Sequence, residues 1–277
     1  MTAAQKHVQP DSAVTRDAPD LSAMVDRFLA TGHPPAQPQS PDTVTHELSL
    51  STPAGWRDGS SVDLRVHQRG DGPAVLLVHG WRGQATDLAL LADRLVAGGY
   101  TVWMPDLPGH GHSGGEYLSL PLAAAALHAT QALAGPFAFA AAHSYGGAGL
   151  VQALATGLQV QRVALLAPPT HYGHFARYAA AQAGLAANRL PEWLDALSRT
   201  IGADPDTFDM RSQVRGLAQP ALLIHSEDDS IVAFDAVQAV AQAWTGARWW
   251  PRQGLGHFKL LRDDETLHEL VEFANGQ

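Results

Sequence analysis

From Ala74 onward, short apolar runs alternate with helix-forming stretches, and this alternation constrains the fold more than any other feature of the chain. Runs over 74–78, 101–105, 137–141, 162–166 and 221–225 have strand length and are apolar on both faces, and Arg248-Trp249-Trp250 reads as a short last strand. Between and after them, 87–97, 120–134, 146–156, 235–244 and 264–275 read as helices, several stopped by glycine. Strands buried on both faces and joined by helices form a largely parallel sheet with helices on each side. Upstream, 45–51 and 62–68 alternate apolar and polar residues, and Gly55-Trp56-Arg57-Asp58-Gly59 between them suggests a hairpin. The expected fold is therefore α/β, with a mostly parallel eight-stranded sheet, helices on both faces and a small helical insertion.

Four stretches follow from this rhythm. Residues 1–41 are an N-terminal extension: a polar start, one short helix and a proline-rich linker over 33–41. In it Leu21, Met24, Val25, Phe28 and Leu29 follow helical spacing, Asp20 stands as N-cap and Gly32 as the expected stop. The core occupies 42–169 and 217–277. Between its two parts, 170–216 contains helical segments, clearest over 175–185 and 191–201, and no convincing strand. An all-helical insertion there reads as a lid above the strand ends, where open α/β sheets bind ligands.

The chemistry centres on Ala142-His143-Ser144-Tyr145-Gly146, which joins the run 137–141 to the helix after it. A serine on a sharp strand-to-helix turn has its hydroxyl lifted above the sheet edge, close to the N–H groups of the new helix. The turn is tight, so its flanking positions must be small. Serine becomes a nucleophile when a base takes its proton and an acid orients that base. Later strand ends supply candidates for both. Ser226-Glu227-Asp228-Asp229 follows the run 221–225, and Gly254-Leu255-Gly256-His257 follows the tryptophan pair.

The order serine, acid, histidine at successive strand ends resembles that of α/β-hydrolase-fold serine hydrolases of the bacterial esterase and lipase type. The resemblance runs from about Thr43 to the C-terminus and rests on four ordered motifs. His79-Gly80-Trp81 is similar to the family's oxyanion loop. Asp106-Leu107-Pro108-Gly109-His110-Gly111-His112-Ser113 is similar to its loop after the fourth strand. Ser144 stands at the elbow, with Ala142 in place of the usual first glycine. Asp229, followed by Ile231-Val232, and His257 stand where the family has its acid and base. The resemblance implies a catalytic triad of Ser144, Asp229 and His257, with Asp228 a competing candidate acid better suited to capping a loop. It also implies an oxyanion hole from the backbone N–H groups of Trp81 and Tyr145, each such donor contributing about 3–4 kcal/mol to the tetrahedral intermediate.

The residues exclude some relatives of that fold. Dehalogenases and epoxide hydrolases carry aspartate at the elbow and dienelactone-type enzymes cysteine. The loop His79-Gly80-Trp81-Arg82-Gly83 lacks the proline of iminopeptidases. A carboxylic-ester hydrolase for small or medium acyl chains is expected. A thioesterase or C–C bond hydrolase, or a non-catalytic ligand-binding member of the fold, is the alternative. Arg82, His143, His171, Tyr172 and Phe175 are candidate pocket residues.

Composition closes other routes. The chain carries 27 acidic against 18 basic residues, a formal net charge of −9, and no basic run, which argues against nucleic acid and anionic membranes as partners. There are no cysteines, so no thiolate nucleophile or cysteine metal site. His171 and His174 stand at i, i+3 without an acidic partner nearby in sequence, so no metal is expected, and no cofactor is implied. No apolar stretch reaches the ~20 residues that span a bilayer, and the polar start lacks the apolar core of a signal peptide, so a cytoplasmic protein acting on a small-molecule acyl substrate is expected.

Overall fold

The computed structural model describes residues 20–53 and 56–277. The polar stretch 1–19 of the extension and Gly55 of the expected hairpin turn lie outside the described residues. Eight strands, β1 (Val44–Ser51), β2 (Ser61–Arg69), β3 (Ala74–Val78), β4 (Thr101–Asp106), β5 (Phe139–His143), β6 (Val163–Leu166), β7 (Ala221–Ser226) and β8 (Ala247–Arg252), form one sheet in the order β1-β2-β4-β3-β5-β6-β7-β8. β2 pairs antiparallel with β1 and β4, and the other neighbours are parallel. The described helices are α1 (Leu21–Leu29), α2 (Ala89–Ala97), α3 (Leu120–Ala134), α4 (Tyr145–Ala155), α5 (Tyr172–Gln182), α6 (Leu190–Ile201), α7 (Met210–Gln213), α8 (Phe234–Ala243) and α9 (Asp264–Ala274), with 3-10 turns between some of them. None is long and apolar enough to cross a membrane.

Side chains that alternate along the strands feed two apolar layers. Leu76, Val78, Ala140, Ala142 and Leu165 face α3, α4 and α8. Val75, Leu77, Phe139, Ala141 and Leu166 face α2 and α9 through Leu91, Leu95, Leu267 and Leu270. Both faces of the central strands are therefore buried, which is why their sequence reads as continuous apolar runs. From β3 the chain builds outward to β4 on one side, then returns through β5 to build the other. The reversal leaves a crevice beyond the C-terminal ends of β3 and β5, the general ligand position in such sheets. The loop 79–83 and Ser144 lie there.

Several boundaries differ from the sequence expectation, each for a local reason. The helix expected from Asp87 begins as a 3-10 turn, Ala85–Leu88, because the Asp87 carboxylate accepts the Gln84 N–H at 3.0 Å and caps an earlier start. α1 ends before the expected stop at Gly32, since Ala30 pairs in a β-bridge with Tyr117. α5 begins ahead of Phe175 because the His171 ring caps it. β8 runs on through Pro251, a position open to proline because β8 is an edge strand.

The extension lies against the core from Asp20 onward. Met24, Val25 and Leu29 are buried, each burial stabilising by about 1.5–3 kcal/mol. Thr31 ties the extension to the loop after β4: its N–H donates to Glu116 O at 2.9 Å, and its hydroxyl donates to Gly109 O at 2.7 Å. Further along, the Gln37 N–H donates to Gln84 Oε1 at 2.8 Å. The proline-rich stretch thus runs beside the loop that follows β3.

Candidate active site

Ser144 caps α4 with φ +50°, a left-handed conformation that non-glycine residues rarely adopt. The chain turns so sharply that a Cβ on Gly146 would lie 2.3 Å from the His79 carbonyl oxygen, so this position admits only glycine. Ala142 is fully buried between Val78 and Leu165, where its methyl group fits in place of the family's usual glycine. The Ser144 N–H is tied to Leu166 O at 2.8 Å. These constraints leave the hydroxyl facing His257.

Three side chains from three strand ends meet. The Ser144 hydroxyl lies 2.9 Å from His257 Nε2, and His257 Nδ1 lies 2.7 Å from Asp229 Oδ2. His257 is buried, and the Asp229 carboxylate is fully enclosed. Its second oxygen accepts the N–H groups of Ile231 at 2.8 Å and Val232 at 3.0 Å. Burial pushes the Asp229 carboxyl up, but the hydrogen bonds from His257, Val232 and Ile231 outweigh it and hold the group below the usual carboxylate range. The acid is thus ionised at neutral pH and fixes the proton of His257 on Nδ1, leaving Nε2 free to accept from serine.

Asp228 takes the other task. Its Oδ1 accepts the N–H groups of Gly254 at 2.9 Å and Gly256 at 3.2 Å, so it shapes the loop that carries His257. His143 supports the same loop, donating from Nε2 to the His257 carbonyl at 2.8 Å. Burial drives the His143 pKa down to about 4, so the ring is neutral there. His225 lies under the acid and donates to Val232 O at 3.0 Å. The sequence placed His143 near the site and His225 only on a core strand, and it revealed neither bond, because each partner is a backbone carbonyl.

The loop after β3 is held by two more neutral imidazoles. His79 Nε2 accepts the Leu107 N–H at 2.9 Å, and its Nδ1 donates to Gly80 O at 2.8 Å. His110 Nδ1 donates to Pro108 O at 2.9 Å, and its Nε2 accepts the Arg82 N–H at 3.0 Å, fixing Arg82 at φ +59°. Burial, with the neighbouring His79, lowers the His110 pKa to about 3. The Trp81 ring packs 5.1 Å from that of Tyr145, so the two residues expected to donate backbone N–H groups sit side by side. Among the described residues, no acceptor meets either N–H.

Behind this loop, Asp106 accepts from Ala85 N at 2.7 Å, His112 N at 2.8 Å and His67 Nε2 at 3.0 Å. His67, Asp106 and His112 together bring three possible metal-ligand atoms within 4.8 Å. Their hydrogen bonds already account for the arrangement, which ties β2, β4 and the loop 107–113 together. A Cβ on Gly111 would lie 2.2 Å from Asp106 Oδ2, so the loop closes over the carboxylate only with glycine there.

A cavity of about 890 Å³ opens over Ser144. Arg82, His143, Tyr172 and Phe175 line it, together with Leu120, Phe208, Met210, Ile231, Val232 and Phe258. His171 is a correction to the expected set: it is absent from the lining because its Nδ1 accepts the His174 N–H at 3.2 Å and its ring stacks on His174 at 3.7 Å. The extension supplies a wall that the sequence reading missed, through Arg27, Phe28 and Ala30. Phe28 meets Tyr172 and Trp193 at 5.6 Å and Phe175 at 6.1 Å, joining α1 to α5 and α6. The one hint was an apolar stripe of five residues in the nine of α1, wider than a single core contact requires.

A family model described as "Alpha/beta hydrolase family" matches residues 75–272. Among curated proteins, a pimeloyl-[acyl-carrier protein] methyl ester esterase from Stenotrophomonas maltophilia is 28% identical, the alignment covering 77% of this chain and 97% of that protein. A protein of the same name from Xanthomonas campestris pv. campestris is 38% identical over 38% of this chain and 40% of its own length. Among solved structures, the esterase Pf2001 from Pyrococcus furiosus superposes with a TM-score of 0.64 at 18% identity, over 88% of this chain and 98% of that one. The esterase EaEST from Exiguobacterium antarcticum gives 0.62 at 15% identity, over 83% and 100%. These two likenesses establish a shared fold.

Proposed function

The chain belongs to the alpha/beta hydrolase family, and from that premise we propose that it is a serine hydrolase of carboxylic esters with small or medium acyl groups. One observation carries the reading: the unbroken hydrogen-bond chain from Ser144 through His257 to Asp229, at 2.9 and 2.7 Å, opening onto the cavity. Ser144 attacks the ester carbonyl as His257 Nε2 takes its proton. Asp229 steadies the imidazolium that forms. The N–H groups of Trp81 and Tyr145 receive the oxyanion, the alcohol leaves with the proton from His257, and water releases the acyl group by the same steps in reverse.

The name of the curated relatives, methyl ester esterase, supports an ester of a small alcohol as the substrate. The largely apolar lining supports an acyl chain within the cavity. Residues 170–216 act in this reading as the lid over that chain, with α1 closing one side.

The test is hydrolysis of p-nitrophenyl esters from acetate to laurate by the wild type and by Ser144→Ala. Activity that vanishes in the variant supports the serine mechanism, and the chain-length optimum reports the depth of the cavity. A folded wild type that leaves all of these esters intact, and that a fluorophosphonate does not label, overturns the proposal.

A further inference from the structure

We propose that the mouth of the cavity carries an anion-binding subsite, so that the esters this protein takes bear a carboxylate or phosphate beside the ester group. The inference rests on the esterase reading above. Four cationic side chains line the cavity: Arg27, Arg82, Lys259 and Arg262. Two come with the extension and the loop after β3, and two with the turn that follows His257. Asp87 is the one acid lining the same space among the described residues, and its carboxylate is committed to capping, at 3.0 Å from Gln84 N.

The charge is uncompensated. Among the described residues, none of the four forms an ion pair, whereas Arg57, Arg65, Arg69, Arg177 and Arg252 on other faces all do. Composition does not explain the grouping, since acidic residues outnumber basic ones 27 to 18 and partners are plentiful. Arg82 is also positioned. Its Nε donates to Thr31 O at 3.1 Å, and its guanidinium packs over Gly32, where a Cβ would lie 3.3 Å from a terminal nitrogen. The extension thereby holds one cation at the mouth, next to Trp81, and supplies another in Arg27. Cations around the opening of a low-dielectric cavity raise the local concentration of anionic substrates, and salt weakens that effect.

The test compares monoethyl glutarate with ethyl pentanoate, and carboxymethyl butyrate with ethyl butyrate, at low and at high ionic strength. The first pair places the charge on the acyl side and the second on the alcohol side. At about 20 mM salt, kcat/KM for the charged member of at least one pair is expected to exceed that of its neutral partner by about 5-fold or more, shrinking below about 2-fold at 0.5 M. The double variant Arg27→Gln/Arg262→Gln is expected to lower that ratio several-fold. Neutral esters preferred or matched in both pairs at low salt, or a preference indifferent to salt, overturns the subsite. Should the wild type turn over none of these esters, the esterase reading falls. Calorimetric titration with intact monoethyl glutarate and carboxymethyl butyrate then decides the subsite: binding of either that weakens with salt upholds it, and no binding or salt-independent binding overturns it.

Discussion

The floor and the wall of the cavity are built by different physics. The floor consists of the strand-end loops around His79, Ser144, Asp229 and His257. Its side chains are fixed by directed hydrogen bonds, many of them to backbone groups. The wall consists of α1 and the helices between β6 and β7. Ring contacts of Phe28 with Tyr172, Phe175 and Trp193 hold it together, and Phe175 is 53% exposed. Directed bonds in a buried floor specify one geometry and tolerate little change. Aromatic packing at a half-open wall allows adjustment. Rate is therefore expected to depend on the floor and selectivity on the wall.

The largest effects test the floor. Ser144→Ala is expected to lower kcat by about 10⁴-fold or more, because the proposed nucleophile and its hydrogen bond to His257 disappear together. Asp229→Asn is expected to lower kcat by about 10³–10⁴-fold, since an amide can hold His257 in the wrong tautomer. Asp228→Asn, one residue away, loses only loop bonds to Gly254 and Gly256 and is expected to cost less than about 10-fold. Single-turnover kinetics with one ester decide the point. Equal losses from the two aspartate variants would remove the distinction between orienting the base and shaping its loop.

The same division explains how much the sequence discloses. The runs ending at Val78 and Ala141 are legible as strands because both of their faces are buried, so every position is apolar. Ser144, Asp229 and His257 are legible because strand-end loops have a fixed order in this sheet, and a strained turn demands small neighbours such as Gly146. Asp87 misleads because a carboxylate can start a turn from inside it, reaching back to Gln84. The roles of His143 and His110 are hidden because their partners are the His257 carbonyl and the Arg82 N–H, which carry no side-chain signature. Phe28 is illegible as a wall for a related reason. Helical spacing assigns it to an apolar stripe, and only the folded chain shows that its neighbours are Tyr172 and Trp193 rather than the sheet.

A smaller effect tests the wall. Phe28→Ala removes the ring shared by three aromatic contacts and opens the cavity between α1 and α5. Stability is expected to fall by about 2–4 kcal/mol, somewhat less than for a fully buried phenylalanine, because Phe28 is partly exposed. The ratio of kcat/KM for a long acyl ester to that for acetate is expected to rise by up to about 10-fold, while the acetate kcat changes less. A chain-length profile that is unchanged in a folded variant would break the assignment of selectivity to the wall.

The last effect returns to the floor, leaves the chemistry untouched and concerns pH. His143 and His110 are buried, and their pKa values fall to about 4 and about 3 from an ordinary value near 6.5. The folded state therefore binds fewer protons than the unfolded state once the pH drops below about 6.5. The stability from keeping these rings neutral is complete above that pH. It is lost progressively as the pH falls toward 4, by up to about 1.4 kcal/mol per unit for each ring. Asp229 works in a lower window: its folded pKa lies below the ordinary 3.8, so its contribution is present above that value and fails only under more acidic conditions. Thermal melts at pH 7.5, 6.5, 5.5 and 4.5 are thus expected to show a Tm that is flat at first and then declines. The decline should be shallower in His143→Gln, which has one ring fewer to protonate in the unfolded state. A flat profile down to pH 4.5 would mean that the imidazoles holding the floor are not kept neutral by burial, and the contrast with the aromatic wall would lose its electrostatic half.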